Sequence, residues 1–442
     1  SMNKWFENAE NKKMGLVLGG GGARGCYEVG VWQALREEKI QFDCVAGTSI
    51  GAIISAFYTA GNLDGTVEFI CHLKPTKIAK DLFAFPANFE ALLRERRTIA
   101  RFMEKYLIQS SGMDIAPLRK AIHDIFDYSS FMASPVNFAC MTFNVTKMGP
   151  EAYFKKQMSV LNAVDIILAS ASCFPAFPML KMNGCDYIDG GYWSNVPISL
   201  AMEMGAEKIL AVDVEGPGIT RPVPEGADVL LIKPILPLQN FLDFSNEQAV
   251  RAMNIGYLET CKFLGKYTGA VYTFLKEGLA NMAVMEEYLS FMFFIHRIQV
   301  DEKTKSDILQ RICGFSSSSL SEKLDTYNYG HGQLVEALAY LVGVEPVMLY
   351  RYEDFGDALF EKLNAIPVSG FTADSEDLLE HLKEMKEEGI IAWLHKGLQA
   401  SEGEVTEFLR VTAGFFPSEF CLACVWYYLE CAWDRAFPER KA

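Results

Sequence analysis

Gly47-Thr48-Ser49-Ile50-Gly51 is the stretch that decides the fold, because this G-x-S-x-G lies between two recognisable elements. Before it, residues 42–46 have the apolar character of a short buried strand, and after it residues 52–58 predict a packed helix closed by Gly61. A strand-to-helix turn this tight strains the residue at its apex and lifts its hydroxyl clear of the backbone. The pattern predicts Ser49 as a nucleophile at a helix N-terminus, and a serine that only caps the helix is the alternative.

Two further glycine-rich segments carry groups that a nucleophilic serine needs. Gly19-Gly20-Gly21-Gly22-Ala23-Arg24-Gly25 follows an apolar run, and its four adjacent glycines let backbone N–H groups converge on an anion. Asp189-Gly190-Gly191 follows the strand-like residues 185–188, so a carboxylate at the end of a strand can approach another loop closely. Nucleophile, oxyanion donors and base are therefore all present in one chain.

In that order, these motifs resemble the patatin-like phospholipase family, in its bacterial-type serine acyl hydrolases, over roughly residues 14–267. Gly20 to Gly25 matches the G-G-G-x-[KR]-G oxyanion loop of the family, and Gly47 to Gly51 matches its nucleophile elbow. Asp189 to Gly191 matches its D-G-[GA] motif. The segment Ala171 to Phe177, with Pro175 in the expected place, is similar to the family's stretch between elbow and aspartate.

The resemblance implies a three-layer α/β/α domain with a mostly parallel central sheet. It also implies a Ser49–Asp189 dyad that uses no histidine, metal or other cofactor. In that scheme Asp189 accepts the Ser49 proton as the hydroxyl attacks an acyl ester, which gives an acyl-enzyme. The backbone N–H groups of Gly20, Gly21 and Gly22 then hold the oxyanion.

The remaining motif residues have supporting roles in this resemblance. Arg24 is assigned to positioning, either of the loop or of a phosphate. The other motif positions are Gly25, Gly47, Gly51, Gly190 and Gly191. The implied activity is that of a phospholipase A or lysophospholipase-like esterase, and the substrate is a lipid or other acyl ester whose head group stays open.

Composition sets bounds on partners and location. The formal net charge of −15 argues against a nucleic-acid partner and against purely electrostatic docking on anionic lipid. No apolar run reaches the roughly 18 residues that a membrane-spanning helix needs. Eleven cysteines without a framework spacing indicate reduced thiols and a cytoplasmic protein, with peripheral membrane contact and homo-oligomer formation left open. We interpret the Cys421-x-x-Cys424 pair as helix packing, with a zinc or redox site as the alternative.

The chain divides by its patterns into an N-terminal tail (residues 1–13), an acyl hydrolase domain (14–269) and a helical C-terminal domain of unknown role (270–442). In the second part, strand and helix patterns alternate, which predicts an α/β fold with a largely parallel sheet. The strand candidates are Leu16–Leu18, Cys44–Ala46, Asn137–Thr142, Tyr187–Ile188, Ile209–Val214 and Val229–Ile232. The C-terminal aromatics are interpreted as helix packing rather than a lipid-facing surface; they include Phe291, Phe293, Phe294, Trp426, Tyr427 and Tyr428.

Three other interpretations stay open. The glycine loop also satisfies G-x-G-x-x-G, with Asp43 near the position of a ribose-binding acid, so a dinucleotide-binding domain is one alternative. Against it, Asp43 precedes its strand, and that strand runs directly into Ser49. A second alternative is an α/β-hydrolase triad completed by His296 or His331. A third is a binding protein that keeps the fold without activity.

Overall fold

The computed structural model of the chain describes residues 4–73, 115–172, 179–241, 243–314, 331–368 and 378–438. The chain forms two compact units, residues 2–260 and 261–442. The predicted boundary after residue 269 stays a prediction. The part of the predicted elbow-to-aspartate segment from Cys173 to Phe177 lies outside the described residues.

The first unit is built on one eight-stranded sheet. Its strands are β1 (Met14–Leu18), β2 (Cys44–Thr48), β3 (Asn137–Asn144), β4 (Gly149–Phe154), β5 (Leu180–Met182), β6 (Cys185–Asp189), β7 (Lys208–Val212) and β8 (Asp228–Ile232). Hydrogen-bonded neighbours follow the order β5-β6-β3-β2-β1-β7-β8, and β4 pairs with β3. The pairs among β3, β2, β1, β7 and β8 are parallel, whereas those of β4, β5 and β6 are antiparallel.

Every residue of β1, β2 and β7 is buried, so both faces of the central sheet are covered. The first unit contains α1 (Lys4–Glu7), α2 (Cys26–Glu37), α3 (Ile50–Ala60), α4 (Leu63–His72), α5 (Ala116–Ile125), α6 (Tyr128–Ala133), α7 (Ala163–Ser170) and α8 (Ile198–Glu203). Most of α9 (Asn246–Phe263) also belongs to it, and the last residues of that helix fall in the second unit. Side chains of α8 pack with Val17, Ala46 and Ala139 in one apolar cluster. The mostly parallel sheet flanked by helices confirms the predicted fold class.

The structure adds elements that the sequence patterns did not predict. All six predicted strands are present, with bounds extended or shortened by a few residues. Strands β4 and β5 were missed, and both are antiparallel additions beside the parallel core. In β4, buried and exposed residues do not alternate regularly, so the period-two signal of a strand is absent. Strand β5 has only three residues, which is too short for a recognisable pattern.

One edge of β3 is shared by two strands end to end. Residues 139–144 of β3 pair with β4, so β2 and β6 both lie along the other edge. Strand β2 occupies that edge as far as Thr48, which lies opposite Met141. Strand β6 occupies it from Asp189, which lies opposite Thr142. Because β2 runs parallel and β6 antiparallel to β3, their carboxyl ends meet at this point.

Helices α2 and α9 approach each other at a pair of glycines. A Cβ added to Gly30 would lie 2.0 Å from Met253 O, and one added to Gly256 would lie 2.1 Å from Tyr27 O. Beside this crossing, the Tyr27 hydroxyl donates to buried Glu259 at 2.9 Å. The Glu259 carboxylate also accepts the backbone N–H groups of residues 235 and 236. Close main-chain contact and a satisfied buried carboxylate thus join α9 to the helix that follows the glycine loop.

The second unit is helical, as predicted. Its helices are α10 (Leu279–Ile295), α11 (Glu302–Cys313), α12 (Gly332–Leu341), α13 (Tyr352–Asn364), α14 (Leu378–Glu384), α15 (Glu387–Ala400), α16 (Glu407–Phe415) and α17 (Pro417–Ala436). A short parallel pair, β9 (Thr273–Phe274) and β10 (Leu349–Tyr350), accompanies them. Phe274 stacks on Tyr352 with ring centroids 4.3 Å apart, at the centre of an aromatic cluster.

The predicted packing role of the C-terminal aromatics is correct for part of the set. Phe293, Trp426 and Tyr428 are buried, whereas Phe291 is 58% exposed and Phe294 is 81% exposed. The cysteines at positions 421 and 424 are fully buried, and burial raises the pKa of Cys421 to about 12, which keeps that thiol protonated. No helix within the described ranges combines the length and the apolarity needed to cross a membrane.

Candidate active site

Ser49 lies at the junction of β2 and α3 with φ 60° and ψ −129°. A non-glycine residue in this region is strained by roughly 1–3 kcal/mol and stays there only when its surroundings enforce the conformation. Its side chain makes no capping hydrogen bond to α3, so the interpretation of Ser49 as a simple N-cap is wrong. The residue is 8% exposed, which leaves the hydroxyl at the margin of solvent rather than sealed in the core.

Two sets of neighbours enforce this conformation. The Ser49 N–H donates to Ser170 Oγ at 3.1 Å, and Ser170 Oγ donates in turn to Met141 O at 2.6 Å. On either side, the glycines of the turn permit close backbone approach. A Cβ at Gly47 would lie 2.3 Å from Gly51 O, and a Cβ at Gly51 would lie 2.1 Å from the carbonyl oxygen of residue 18. Neither position has room for a side chain, so both predicted elbow glycines are required.

Asp189 ends β6 where that strand meets β2. Its Oδ1 accepts the Gly191 N–H at 2.8 Å, and its backbone N–H donates to Ser172 O at 2.7 Å. Burial raises the pKa of Asp189 from its ordinary 3.8 to about 7, while the Ser49 side chain and the Gly191 N–H partly oppose the rise. Among the described residues, Asp189 Oδ2 has no partner at normal hydrogen-bond length.

The glycine loop joins β1 to α2 beside Ser49. The Gly20 N–H donates to Asn195 O at 3.0 Å, so this predicted oxyanion donor is already engaged. Gly21 and Gly22 donate to no acceptor that lies within the described residues. A Cβ at Gly20 would lie 3.1 Å from Ser49 Cβ, which places the loop directly against the serine. The donor role of Gly21 and Gly22 stays a prediction, now with two N–H groups rather than three.

Arg24 binds main-chain carbonyls. Its Nε donates to Gln239 O at 2.7 Å, and its Nη1 donates to Glu215 O at 2.8 Å and to Val214 O at 3.4 Å. The guanidinium therefore ties the glycine loop to two later loops. Of the two roles that the sequence left open, these contacts favour holding the loop.

Glu28, on the first turn of α2, is a buried acid that sequence analysis did not single out. It is 0% exposed, and neither carboxyl oxygen has a hydrogen-bond partner among the described residues. Burial raises the pKa of Glu28 well above its ordinary value, and the neighbouring Asp213 adds to the rise. The Gly19 N–H opposes it from nearby, but that N–H donates to Val212 O at 3.0 Å. Burial therefore favours the neutral form of the Glu28 carboxyl group.

Three other residues that bring these groups together were missed, namely Ser170, Ser172 and Asn195. Ser170 holds the Ser49 amide, and Ser172 holds the Asp189 amide, so the end of α7 anchors both. Asn195 holds Gly20 through two hydrogen bonds. The amino-acid sequence does not show which serine or asparagine binds a distant main-chain group, because these partners lie at least 17 positions away along the chain.

The residues invoked by the rival interpretations have other partners. Asp43 Oδ2 accepts the Met14 N–H at 2.8 Å, so this carboxylate supports the start of β1 and does not serve a ribose. Inside the second unit, the His296 ring stacks on Tyr428 with centroids 5.8 Å apart, and His331 Nδ1 lies 3.2 Å from Glu286 Oε1. In the described part of the chain, no cluster of three or more acidic, histidine or cysteine side chains is arranged to hold a metal ion.

Comparison with known proteins agrees with the motifs. Residues 16–202 match the family model described as Patatin-like phospholipase, the family that the motifs predicted. Lysophospholipase NTE1 of Meyerozyma guilliermondii is 30% identical over 204 residues, and a patatin-like phospholipase domain-containing protein of Caenorhabditis elegans, ZK370.4, is 31% identical over 209 residues. Each alignment covers 46% of this chain and 13% of the relative, so the chain spans only a small part of the length of these relatives.

Two solved structures also align with the chain. They are VipD from Legionella pneumophila and the type III effector protein ExoU, both 13% identical in sequence. The VipD alignment covers 95% of this chain and 90% of the other, with a TM-score of 0.32. The ExoU alignment covers 88% and 78%, with a TM-score of 0.31.

Replacing Asp189 with Asn should stabilise the protein most at neutral and alkaline pH. Because burial raises the carboxyl pKa to about 7, the folded state binds this proton more tightly than the unfolded chain between pH about 4 and about 7. The free energy of unfolding of the wild type therefore falls as pH rises through this window, whereas Asn does not titrate. Thermal unfolding should show a gain for Asp189→Asn that is several degrees larger at pH 8 than at pH 4. A gain independent of pH would contradict the raised pKa.

Proposed function

We propose that this protein hydrolyses acyl esters of lipids through an acyl-enzyme formed on Ser49, with Asp189 as the base. The observation that carries the proposal is the meeting of a strained serine and a buried carboxyl group where β2 and β6 end on one edge of β3. The glycine loop lies against the same serine. A nucleophile, a base and backbone donors at one point are the parts that acyl transfer requires.

In the first step, Ser49 Oγ attacks the ester carbonyl and forms a tetrahedral intermediate. The hydroxyl is free for this role because it does not cap α3, and the positive end of that helix favours the anion that develops. The intermediate collapses with loss of the alcohol, which leaves the acyl group on Ser49.

Asp189 accepts the serine proton during the attack and passes it to the departing alcohol. An ordinary aspartate with a pKa near 3.9 is a weak base for an alcohol. A pKa of about 7 places Asp189 near the value at which general base catalysis is most effective at neutral pH. In deacylation the same carboxylate takes a proton from water, which attacks the acyl group and restores Ser49.

The oxyanion is held by the N–H groups of Gly21 and Gly22, which have no acceptor within the described residues. One such donor is worth roughly 3–4 kcal/mol in comparable hydrolases. Arg24 holds the loop in place through its three bonds to carbonyl oxygens.

The substrate class is supported by the relatives, whose names describe lysophospholipases and patatin-like phospholipases. A lipid acyl ester is therefore the proposed substrate. The dinucleotide alternative lacks its ribose-binding acid, since Asp43 pairs with Met14 N–H. A catalytically inactive binding protein is the remaining alternative, and serine labelling separates it from an enzyme.

The predicted C-terminal domain, residues 270–442, is proposed to contribute no catalytic group and to make peripheral contact with lipid. Several apolar side chains of α10 and α16 are exposed, including Phe294 at 81%, Val411 at 59% and Phe415 at 58%. Arg410 on α16 donates to His296 O just after α10, so the C-terminal end of α10 lies beside α16. Self-association of the chain through the same face is the competing outcome.

Substituting Phe294 and Phe415 together with Ser should lower the binding constant for neutral phosphatidylcholine vesicles, measured by sedimentation, by at least about a hundredfold, because roughly 1.5–3 kcal/mol is lost for each withdrawn side chain. Leu161→Ser is the matched control, since Leu161 is 89% exposed in the other unit. Unchanged vesicle binding together with a smaller oligomer on gel filtration would assign the face to self-association.

Ser49→Ala and Asp189→Asn should each lower kcat on a short-chain nitrophenyl ester by at least about a thousandfold, because neither group has a substitute. A fluorophosphonate should label the wild type once, at Ser49. Ser159→Ala and Asp186→Asn serve as controls, the latter on the same strand as Asp189. Near wild-type turnover of Asp189→Asn would contradict the dyad and direct the search to a histidine.

The pH profile tests Asp189 as the base. The carboxylate must be ionised to accept the serine proton, and its pKa is about 7. We expect kcat/KM to fall tenfold for each pH unit below about 7 and to level off above it. A profile that stays flat down to pH about 5 would mean that a base with an ordinary carboxyl pKa, or none, is used.

A further inference from the structure

Asn195 stands out among the buried polar residues because it hydrogen-bonds to both the N–H and the carbonyl oxygen of one glycine of the loop. It lies six positions after Asp189 and is 1% exposed. Its carbonyl oxygen accepts the Gly20 N–H at 3.0 Å, and its side-chain Nδ2 donates to Gly20 O at 3.0 Å. The two peptide units that flank Gly20 are thus both held by a single residue.

Because the peptide bond is planar, the hydrogen bond to Gly20 O also affects the N–H group of the next residue. Gly20 O and the Gly21 N–H belong to the same trans peptide plane and point in opposite directions. A hydrogen bond that fixes Gly20 O therefore also fixes the direction of the Gly21 N–H. That N–H has no acceptor in the described part of the chain, and Gly20 itself packs against the Ser49 side chain.

We propose that Asn195 is a positioning residue for the reaction, whose side-chain amide sets the Gly20–Gly21 peptide so that the Gly21 N–H faces the oxyanion. The inference rests on the proposed acyl transfer at Ser49. Without the amide, nothing among the described side chains donates to Gly20 O, and a glycine peptide rotates at low cost. The donor would then be misdirected in part of the molecules, and the transition state would lose a preorganised partner.

The main-chain frame around Asn195 does not depend on its side chain. Its backbone N–H donates to Ile219 O at 2.9 Å, and the Ile219 N–H donates to Gly191 O at 2.8 Å. These bonds, like the one from the Gly20 N–H, survive substitution at position 195. A change of side chain therefore removes the bond to Gly20 O while leaving the frame, which makes the effect of that single bond measurable.

The test compares Asn195→Leu, which keeps the branched shape of the side chain, with Asn195→Ala, which does not. Both should lower kcat on a short-chain nitrophenyl ester by about ten- to a hundredfold with KM changed less than about threefold, because the bond acts on the transition state. Rates are expressed per site titrated with fluorophosphonate. The inhibition constant of a trifluoromethyl ketone, which forms a tetrahedral adduct on serine, should rise in proportion to the loss of kcat/KM.

Thr66→Val is the matched control, because it removes a different buried bond from a side chain to a carbonyl, that of Thr66 Oγ1 to Asn62 O. It should lower the thermal midpoint while leaving kcat per site unchanged. Wild-type kcat per titrated site in Asn195→Leu, or ketone affinity unchanged in both variants, would overturn the inference. If Asn195→Leu does not fold, the Ala variant decides by the same ratios. A wild type without turnover or labelling would instead refute the proposed function itself.

Discussion

The meeting of β2 and β6 on one edge of β3 is the constraint on which the candidate site depends. Since β4 takes the opposite edge, β2 and β6 must follow each other along the remaining one. The residue after Thr48 and the last residue of β6 therefore converge, although 140 positions of sequence separate Ser49 from Asp189. The register of β6 against β3 therefore determines whether Asp189 meets Ser49, because a shift of β6 by one residue would turn the carboxylate to the other face of the sheet.

The same constraint determines the electrostatics of the pair. A carboxyl group placed at an interior strand end is withdrawn from water, and burial rather than a neighbouring charge is the main cause of its raised pKa. Folding with an ionised Asp189 costs free energy at neutral pH, and that cost makes the group a stronger base. Strain at Ser49 adds a second local cost. Both are offset by the buried central strands, where every residue of β1, β2 and β7 contributes apolar burial or ladder hydrogen bonds.

Sequence reasoning succeeded where a residue type is required by local geometry. Gly47 and Gly51 have no room for a Cβ, and the strand and helix around Ser49 follow from hydrophobic patterns. It failed for the antiparallel strands β4 and β5, because their pairing partners are not determined by local sequence. It also failed for residues whose hydrogen-bond partners are main-chain atoms. Ser170 and Asn195 have no distinctive signal, since any buried serine or asparagine needs some partner. The aromatic helix residues were misjudged in part, because α10 has apolar side chains on almost all of its faces and its pattern does not distinguish Phe293 from Phe294.

The glycine loop illustrates how main-chain groups are divided between structure and chemistry. Gly19 donates to β7 and Gly20 donates to Asn195, so two of the four glycine amides hold the loop on the sheet and on the turn after Asp189. The other two are left without acceptors in the described residues. Free donors are useful only if their directions are determined, and the direction of a peptide is determined by whatever binds its carbonyl oxygen. A peptide N–H group can therefore serve as an oriented donor to an oxyanion only when the carbonyl oxygen of the same peptide is held by a rigid neighbour.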